Sequence, residues 1–360
     1  MSGKKNNNLS VFGRKWKKFK TLKRGYYSLF ILLILYALSL ILPVFIGNSA
    51  LVVRYNGNYF FPVLRFHSAS EFNEFDRSKK NFGKKLEGEA NYRWLHEQFK
   101  EENKGNFVVL PFYPFGPNEN LLDEIEGNPP HKPSGQHIFG TDDRGRDVFS
   151  RLAYGFNISM SFALIVTFFS YFIGIIFGAL LGFYGGKIDM IGLRLIEIWS
   201  TLPLIYLLII LSSIIRPNFL WLTLLLIIFG WVGITYYVRG EVYREKAKDY
   251  VLSAVSAGVP NFKLIVRHIL PNSMTSVISF IPFAIVGYIS SLTALDFLGF
   301  GLPPPTPSWG ELIGQGIKNP EYWWLVVTPL MTQFITLLLI VFIGESVRDA
   351  NDPKPFSKYY

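Results

Sequence analysis

Asp249-Tyr-Val-Leu-Ser-Ala-Val-Ser-Ala-Gly-Val-Pro-Asn-Phe-Lys-Leu-Ile-Val-Arg-His-Ile-Leu-Pro-Asn272 is a polar, patterned interruption between two long apolar runs. It predicts a helix, a tight turn at Gly258-Val259-Pro260, and a second helix closed by Pro271. Gly258 opens backbone conformations that other residues avoid, and Pro260 suits a helix start while blocking continuation of the first helix. Beyond the turn, Phe262, Ile265, Val266 and Ile269 follow the i, i+3, i+4, i+7 template of one helical face. Lys263 and Arg267 occupy another face. On pattern alone the stretch is either an amphipathic hairpin at a membrane surface or a rigid knob offered to a partner.

The flanking runs decide the fold class. Half of the 360 residues are hydrophobic and 17% are charged, against roughly 25% charged in soluble domains. A helix needs about 20 apolar residues to cross a bilayer. Six segments reach or approach that length: 26–46, 158–183, 202–215, 219–238, 276–298 and 324–344. The third is short, but the amphipathic stretch 189–200 runs straight into it and supplies the missing turns. The expected fold is an all-α integral membrane protein with six transmembrane helices and an extracytoplasmic insertion after the first. Its parts are a basic cytoplasmic N-terminus (1–25), the first transmembrane helix (26–46), an extracytoplasmic segment (47–150), a five-helix core carrying the loop 239–274 (151–346), and a cytoplasmic tail (347–360).

Charge gives the orientation. The first 24 residues hold Lys4, Lys5, Arg14, Lys15, Lys17, Lys18, Lys20, Lys23 and Arg24 and no acid. Such a block beside a span marks the cytoplasmic side and can meet anionic lipid. Six spans then return the C-terminus to the same side, with the basic stretches 187–194 and 239–263. A net charge of +10 would suit nucleic acid in a soluble protein, but no nucleic-acid-reading motif accompanies it. The chain has no cysteine, which excludes disulfides and thiol chemistry. The run 26–46 is longer than the apolar core of a signal peptide.

The exported segment 48–147 opens with Asn56-Gly57 between apolar runs, a hairpin signal. Mixed charge over 71–104 and a Pro/Gly-rich approach over 111–133 complete a small α+β or irregular domain. In the second span, Gly174, Gly178 and Gly182 share one helical face. Small residues at that spacing let two backbones approach closely in lipid, within the bundle or across a dimer, while a pore-lining role is the alternative.

No motif predicts catalysis. Asp142, Asp143, Arg144, Arg146 and Asp147 form the densest charge cluster. They read as a helix start, with Thr141 or Asp142 as cap and the acids favouring the N-terminus. Arg144, Arg146 and Arg151 are then expected at headgroup level. His67, His96, His131, His137 and His268 form no zinc spacing, so no metal site is expected. The chain has no P-loop and no G-x-S-x-G elbow. The spans carry almost no ionisable residue, which argues against proton or sodium coupling and for an external energy source.

The loop resembles the signature loop of importer permeases of the ATP-binding-cassette superfamily, E-A-A-x-x-x-G followed by a His/Pro-containing end. Leu252, Ser253, Ala254, Gly258 and Pro271 take the matching positions, with Leu252 in place of the glutamate and Ser253 in place of the first alanine. The ending Arg267-His-Ile-Leu-Pro-Asn272 is that of the peptide-permease branch. Residues 139–152 (F-G-T-D-D-R-G-R-D-V-F-S-R-L) resemble the segment before the second span of oligopeptide and dipeptide permeases. Residues 297–310 (F-L-G-F-G-L-P-P-P-T-P-S-W-G) look like their outer loop, and 348–353 (R-D-A-N-D-P) like their ending. The opening L-V-V-R-Y-N-G-N-Y-F-F-P-V-L from Leu51 looks like permeases of Yej-type importers, associated with oligopeptides and the peptide-nucleotide microcin C.

The resemblance implies the MetI-like, type I importer permease fold in a bacterial inner membrane, with no cofactor on this chain. ATP and Mg would belong to two ATPase subunits, or one fused ATPase. A second, different permease and an extracytoplasmic binding protein would complete the assembly. It further implies that Val251, Leu252, Ser253, Ala254, Gly258, Val259, Pro260, Asn261, Phe262, Arg267, His268 and Pro271 form the ATPase-coupling loop. The segment 48–137 and the outer loop 303–310, with Pro304, Pro305, Trp309 and Gly310, become candidates for receiving the binding protein. Related importers of nickel, metallophores or other small solutes remain an alternative, as does an ATP-independent secondary transporter.

Overall fold

The computed structural model describes residues 11–72, 88–102, 105–122, 124–125 and 127–351. Lys4, Lys5, half of the mixed-charge stretch 71–104 and the tail beyond Asn351 lie outside the described residues. In chain order the elements are α1 (Val11–Thr21), α2 (Lys23–Ser39), a short α3 (Leu42–Phe45), β1 (Val52–Tyr55), β2 (Asn58–Phe60), α4 (Tyr92–Glu102) and β3 (Phe107–Val109). Then come α5 (Val148–Tyr184), α6 (Gly186–Ser200), α7 (Leu204–Ile214), α8 (Phe219–Lys246), α9 (Asp249–Ser256), α10 (Asn261–Lys263) and a π-helical stretch (Leu264–Ile269). The last described elements are α11 (Leu270–Ile278), α12 (Ile281–Leu298), α13 (Trp309–Lys318) and α14 (Trp324–Asn351).

Four helices, α5, α8, α12 and α14, are long and apolar enough to cross a membrane, and two bent pairs bring the candidate spans to six. The first pair, α1 and α2, bends by 99°. The second corrects the expectation for the third span. Helix α6 does not run straight into α7 but meets it at 57° across a short break. Pro203 causes the break, because its ring excludes the helical conformation from Leu202 and it has no N–H to continue the ladder. The fifth span likewise begins later than expected. Ser279 and Phe280 close α11 with tight i→i−3 bonds of 3.2 and 3.0 Å, and Pro282 falls in the first turn of α12.

The chain divides into two compact units. One comprises the described parts of Tyr36–Ile158 and Pro304–Leu330. Within it, Asn56 (φ 49°) and Gly57 (φ 83°) both take the left-handed conformation that a two-residue hairpin requires. This sets Val53 opposite Phe60. Strand β3 pairs antiparallel with the other edge of β1, giving the order β2-β1-β3. Tyr92, Leu95 and Phe99 of α4 pack with Val53 and Val108 into a small core. That spacing of three and four puts one apolar helix face on one sheet face.

The other unit comprises the described parts of Met1–Leu35, Ser159–Pro303 and Met331–Tyr360. Its decisive contact is between α5 and α8. A Cβ built at Gly174, Gly178 or Gly182 would stand 2.7 Å from the Trp231 carbonyl, 2.8 Å from that of Thr235 and 2.6 Å from that of Arg239. Both helices step by four, so three absent side chains on α5 admit three successive turns of α8 backbone. Gly178→Leu is therefore expected to force α5 and α8 apart at a cost of about 1–3 kcal/mol or more. Gly240→Leu, where nothing lies within 4 Å of the added Cβ, is expected to leave stability unchanged. The thermal midpoint of the detergent-solubilised protein, followed by size-exclusion chromatography, separates the two; equal midpoints would refute the packing assignment.

Candidate functional site

The loop between α8 and α12 is built as a compact knob. Helix α9 ends in a Schellman motif: Gly258 (φ +76°) donates to the Val255 carbonyl at 2.9 Å and Val259 to that of Ala254 at 3.1 Å. Only a residue at ease in the left-handed region closes a helix this way. Pro260 then precedes α10, and its carbonyl accepts from Leu264 N–H at 3.0 Å.

The second arm departs from the sequence expectation twice. Pro271 does not close a helix. It sits in the first turn of α11, and the π-helical stretch Leu264–Ile269 comes before it. A widened turn absorbs the missing N–H and the ring without ending the helix. The same widening rotates the apolar face. Leu264, Ile265 and Ile269 are buried, whereas Phe262 is 78% exposed and Val266 is also exposed. The i, i+3, i+4, i+7 template fails because the backbone does not keep the 3.6-residue period there.

Leu264, Ile265 and Ile269 join Val251 and Val277 in a cluster with Ala179 and Phe183 of α5 and Ile234, Val238 and Val242 of α8. Ala254 and Val259 pack on its edge. These residues bind the knob to its own chain. Leu252, Ser253, Gly258, Pro260, Asn261 and Phe262 are instead exposed, as are Val255 and Arg267, while His268 is half-buried. Leu252 and Val255 are each 53% exposed, so with Phe262 they give the outer surface an apolar character.

A polar clasp closes the knob's base, on residues that pattern reading did not single out. The Tyr250 hydroxyl donates to Glu245 Oε2 at 2.8 Å and accepts from Asn272 Nδ2 at 3.0 Å. Asn272 Nδ2 also donates to the His268 carbonyl at 3.0 Å, and Lys248 Nζ to Glu245 Oε1 at 2.5 Å. The clasp ties the end of α8 to both arms. Burial first, and then the bond to Glu245, raises the Tyr250 hydroxyl above the ordinary tyrosine range. The only sequence signal was the position of Tyr250 and Asn272 at the two ends of the motif.

The cluster at 142–151 belongs to the other unit and is assembled differently from the sequence expectation. The cap of α5 is Asp147, not Thr141 or Asp142: its Oδ1 accepts from Ser150 N–H at 2.8 Å. Its Oδ2 meets Tyr113 Oη at 2.7 Å and His137 Nδ1 at 2.8 Å. Burial, and then the Asp147 charge, pushes the Tyr113 hydroxyl far above its usual range. Asp142 shapes the preceding turn by accepting from the backbone N–H of Arg144 at 3.0 Å and of Arg146 at 2.9 Å.

Arg146 and Arg151 do not sit at an exposed headgroup level; both are buried. Arg146 pairs with Asp142 at 2.6 Å and Glu311 at 3.1 Å, and Arg151 with Glu311 at 2.5 Å. Buried guanidinium groups need such acids, and Glu311, which follows the outer-loop motif, carries no local signal of this pairing. Burial opposes the Arg146 charge, but the bonds to Asp142 and Glu311 outweigh it and hold the guanidinium above the ordinary arginine range. Arg144 alone of the three is exposed.

The outer-loop candidates divide. Pro304 and Pro305 are exposed, whereas Trp309 and Gly310 are buried. Trp309 packs on Gly155 and donates its indole N–H to the Leu152 carbonyl at 3.1 Å. A buried indole N–H needs an acceptor, so Trp309 fastens the loop and is not available to receive a partner.

Removing the clasp is expected to loosen the knob without unfolding the chain. Tyr250→Phe deletes two hydrogen bonds at a cost of about 1–1.5 kcal/mol, so amide exchange within 249–272 should quicken by about tenfold while α5 and α8 keep their protection. Unchanged exchange in the loop would show that the clasp does not hold it.

Residues 174–356 match the family of binding-protein-dependent transport system inner membrane components. The chain is similar to the inner membrane ABC transporter permease protein YejE of Escherichia coli (strain K12), with 41% identity over 94% of this chain and 96% of the relative. It is also similar to the peptidoglycan transport system permease protein YejE of Agrobacterium fabrum, with 36% identity over 95% of this chain and 92% of that one. The oligopeptide transport system permease protein OppC of Haemophilus influenzae is 35% identical over 69% of this chain and 79% of its own length. With its candidate spans and a family match from within α5 to beyond α14, the chain is a multi-pass membrane protein that belongs to the binding-protein-dependent transport system inner membrane components.

Proposed function

We propose that this chain is the permease subunit of an ATP-driven importer of peptides or peptide-like solutes. The observation that carries this reading is the apolar outer surface of the knob, with Phe262 78% exposed on a loop whose other side is locked into its own chain. Leaving a phenylalanine in water is unfavourable, and a partner's cleft removes that cost. The names of the relatives, which transport oligopeptides or peptidoglycan, support the substrate class.

In this reading the basic N-terminus, the knob and the C-terminus face the cytoplasm, and the segment 47–150 is exported. Two ATPase subunits, or one fused ATPase, hold Leu252, Val255, Gly258 and Phe262 in surface clefts. Nucleotide and Mg bind there and hydrolysis occurs there, so this chain is not itself an enzyme. A second permease completes the path, and an extracytoplasmic binding protein delivers solute toward the exposed Pro304 and Pro305. Closing and opening of the ATPases moves the knob. Because Leu264, Ile265 and Ile269 fasten the knob to α5 and α8, its displacement becomes a displacement of those helices. Such coupling requires contacts that differ between the outward- and inward-facing states. With Leu252 where the family carries glutamate, an apolar contact replaces any ionic one at that position.

Phe262→Asp is expected to insert normally and to lose ATPase binding by about 2 kcal/mol or more, roughly thirtyfold in dissociation constant. Gly258→Asp has open space around its Cβ but a φ of +76°; it should also insert normally and lose the ATPase. Co-purification in mild detergent reads both, and wild-type ATPase yield from both variants would overturn the proposal.

A further inference from the structure

A second feature lies in the same unit as the knob and away from its exposed surface. Helix α1 carries Arg14, Lys15, Lys17, Lys18 and Lys20 without an acid and turns by 99° into α2. Lys15 reaches back to α11, its Nζ donating to Thr275 Oγ1 at 2.8 Å. Between α1, α2, α11 and α14 lies a groove of about 420 Å³ lined mainly by apolar side chains, Trp16, Leu29, Met274, Ile278, Ile343 and Val347 among them. Lys15 is the one charged residue among the described lining residues. Arg14, Lys17, Lys20, Lys23 and Arg24 are exposed nearby in sequence. Along α2, Tyr27, Phe30 and Ile31 present apolar surface.

We infer that this groove binds an anionic phospholipid, with one acyl chain against Ile278 and Ile343 and the phosphate at Lys15. Charge and chemistry choose the occupant. A peptide segment would bring backbone N–H and C=O groups that must find partners. The lining offers too few polar partners for a run of backbone groups: Asn351 Nδ2 donates to Ser279 Oγ at 3.1 Å, and Lys15, bonded to Thr275, keeps further N–H donors that suit a phosphate. An acyl chain asks for no such partners. The cationic, acid-free helix α1 complements a phosphate and matches the surface potential of an anionic leaflet.

The site has a consequence for transport, which rests on the reading of the knob as the coupling loop. Pro271 lines the groove, and α11, which forms one wall, continues directly from the buried arm of the knob. A lipid seated there braces α11 against α1 and α14, so the stroke delivered to the knob passes to the spans instead of being lost in α11.

The test uses the chain purified with the subunits that accompany it, incubated with equal amounts of phosphatidylglycerol and phosphatidylcholine of identical acyl chains, and read by native mass spectrometry. Phosphatidylglycerol should be retained about fivefold over phosphatidylcholine, one basic contact's worth of preference. Lys15→Gln should equalise the two lipids, and Ile278→Trp, which fills the groove, should remove retention of both. In nanodiscs, phosphatidylglycerol should raise ATP hydrolysis several-fold for the wild type and not for Ile278→Trp, with ATPase co-purification unchanged in both variants. Equal retention of the two lipids by the wild type, or undiminished retention by Ile278→Trp, would overturn the site. A cross-link from Ile278→Cys to a protein segment in the groove would overturn it in favour of a peptide occupant. Loss of the ATPase from the wild-type preparation would instead count against the importer reading, because lipid retention is read on this chain's own mass.

Discussion

The backbone-to-backbone approach of α5 and α8 at Gly174, Gly178 and Gly182 supports everything in the unit that carries the knob. Lipid tails are as apolar as leucine, so helices in a membrane gain little from apolar contact alone and rely on close packing. Three missing side chains let the carbonyls of Trp231, Thr235 and Arg239 come within contact distance of α5. That approach fixes where α8 ends, and the end of α8 supplies both attachments of the knob: Val238 and Val242 to the apolar cluster and Glu245 to the clasp. The knob is stiff because its inner face is part of the same packing that holds the spans together.

The sequence disclosed the elements of this design unevenly. The turn at Gly258 was legible because one residue type solves one backbone problem, and Asn56-Gly57 was legible for the same reason. The four long spans were legible from hydropathy, and the glycine stripe from its four-residue spacing. Phase was not legible. The π-helical stretch before Pro271 shifts the apolar face by one residue, so Phe262 and Val266 point outward where a regular helix would bury them. Helix ends were also blurred, since Pro203 and Pro282 break runs whose hydropathy is continuous.

In the other unit, the buried charges were misread for a different reason. A local reading of 142–151 offers arginines that have no acid beyond their own turn, and so places them near headgroups. The acid they need, Glu311, is 160 residues from Arg151 in sequence. No periodicity joins them. Trp309 illustrates the same limit: its motif marks the outer loop, yet the indole serves as a fastener to Leu152. In a loop, a conspicuous residue and an accessible one are not the same thing.

The account comes down to one claim, that a membrane bundle takes its motion from a separate ATPase through an apolar, exposed surface backed by a rigid inner face. The measurement that tests it most directly is peptide uptake into sealed vesicles carrying the permease pair and binding protein, with and without the co-purifying ATPase and ATP. The account predicts uptake only when both ATPase and ATP are present, abolished by Phe262→Asp at unchanged membrane insertion. Solute-selective uptake in vesicles that lack the ATPase would contradict it.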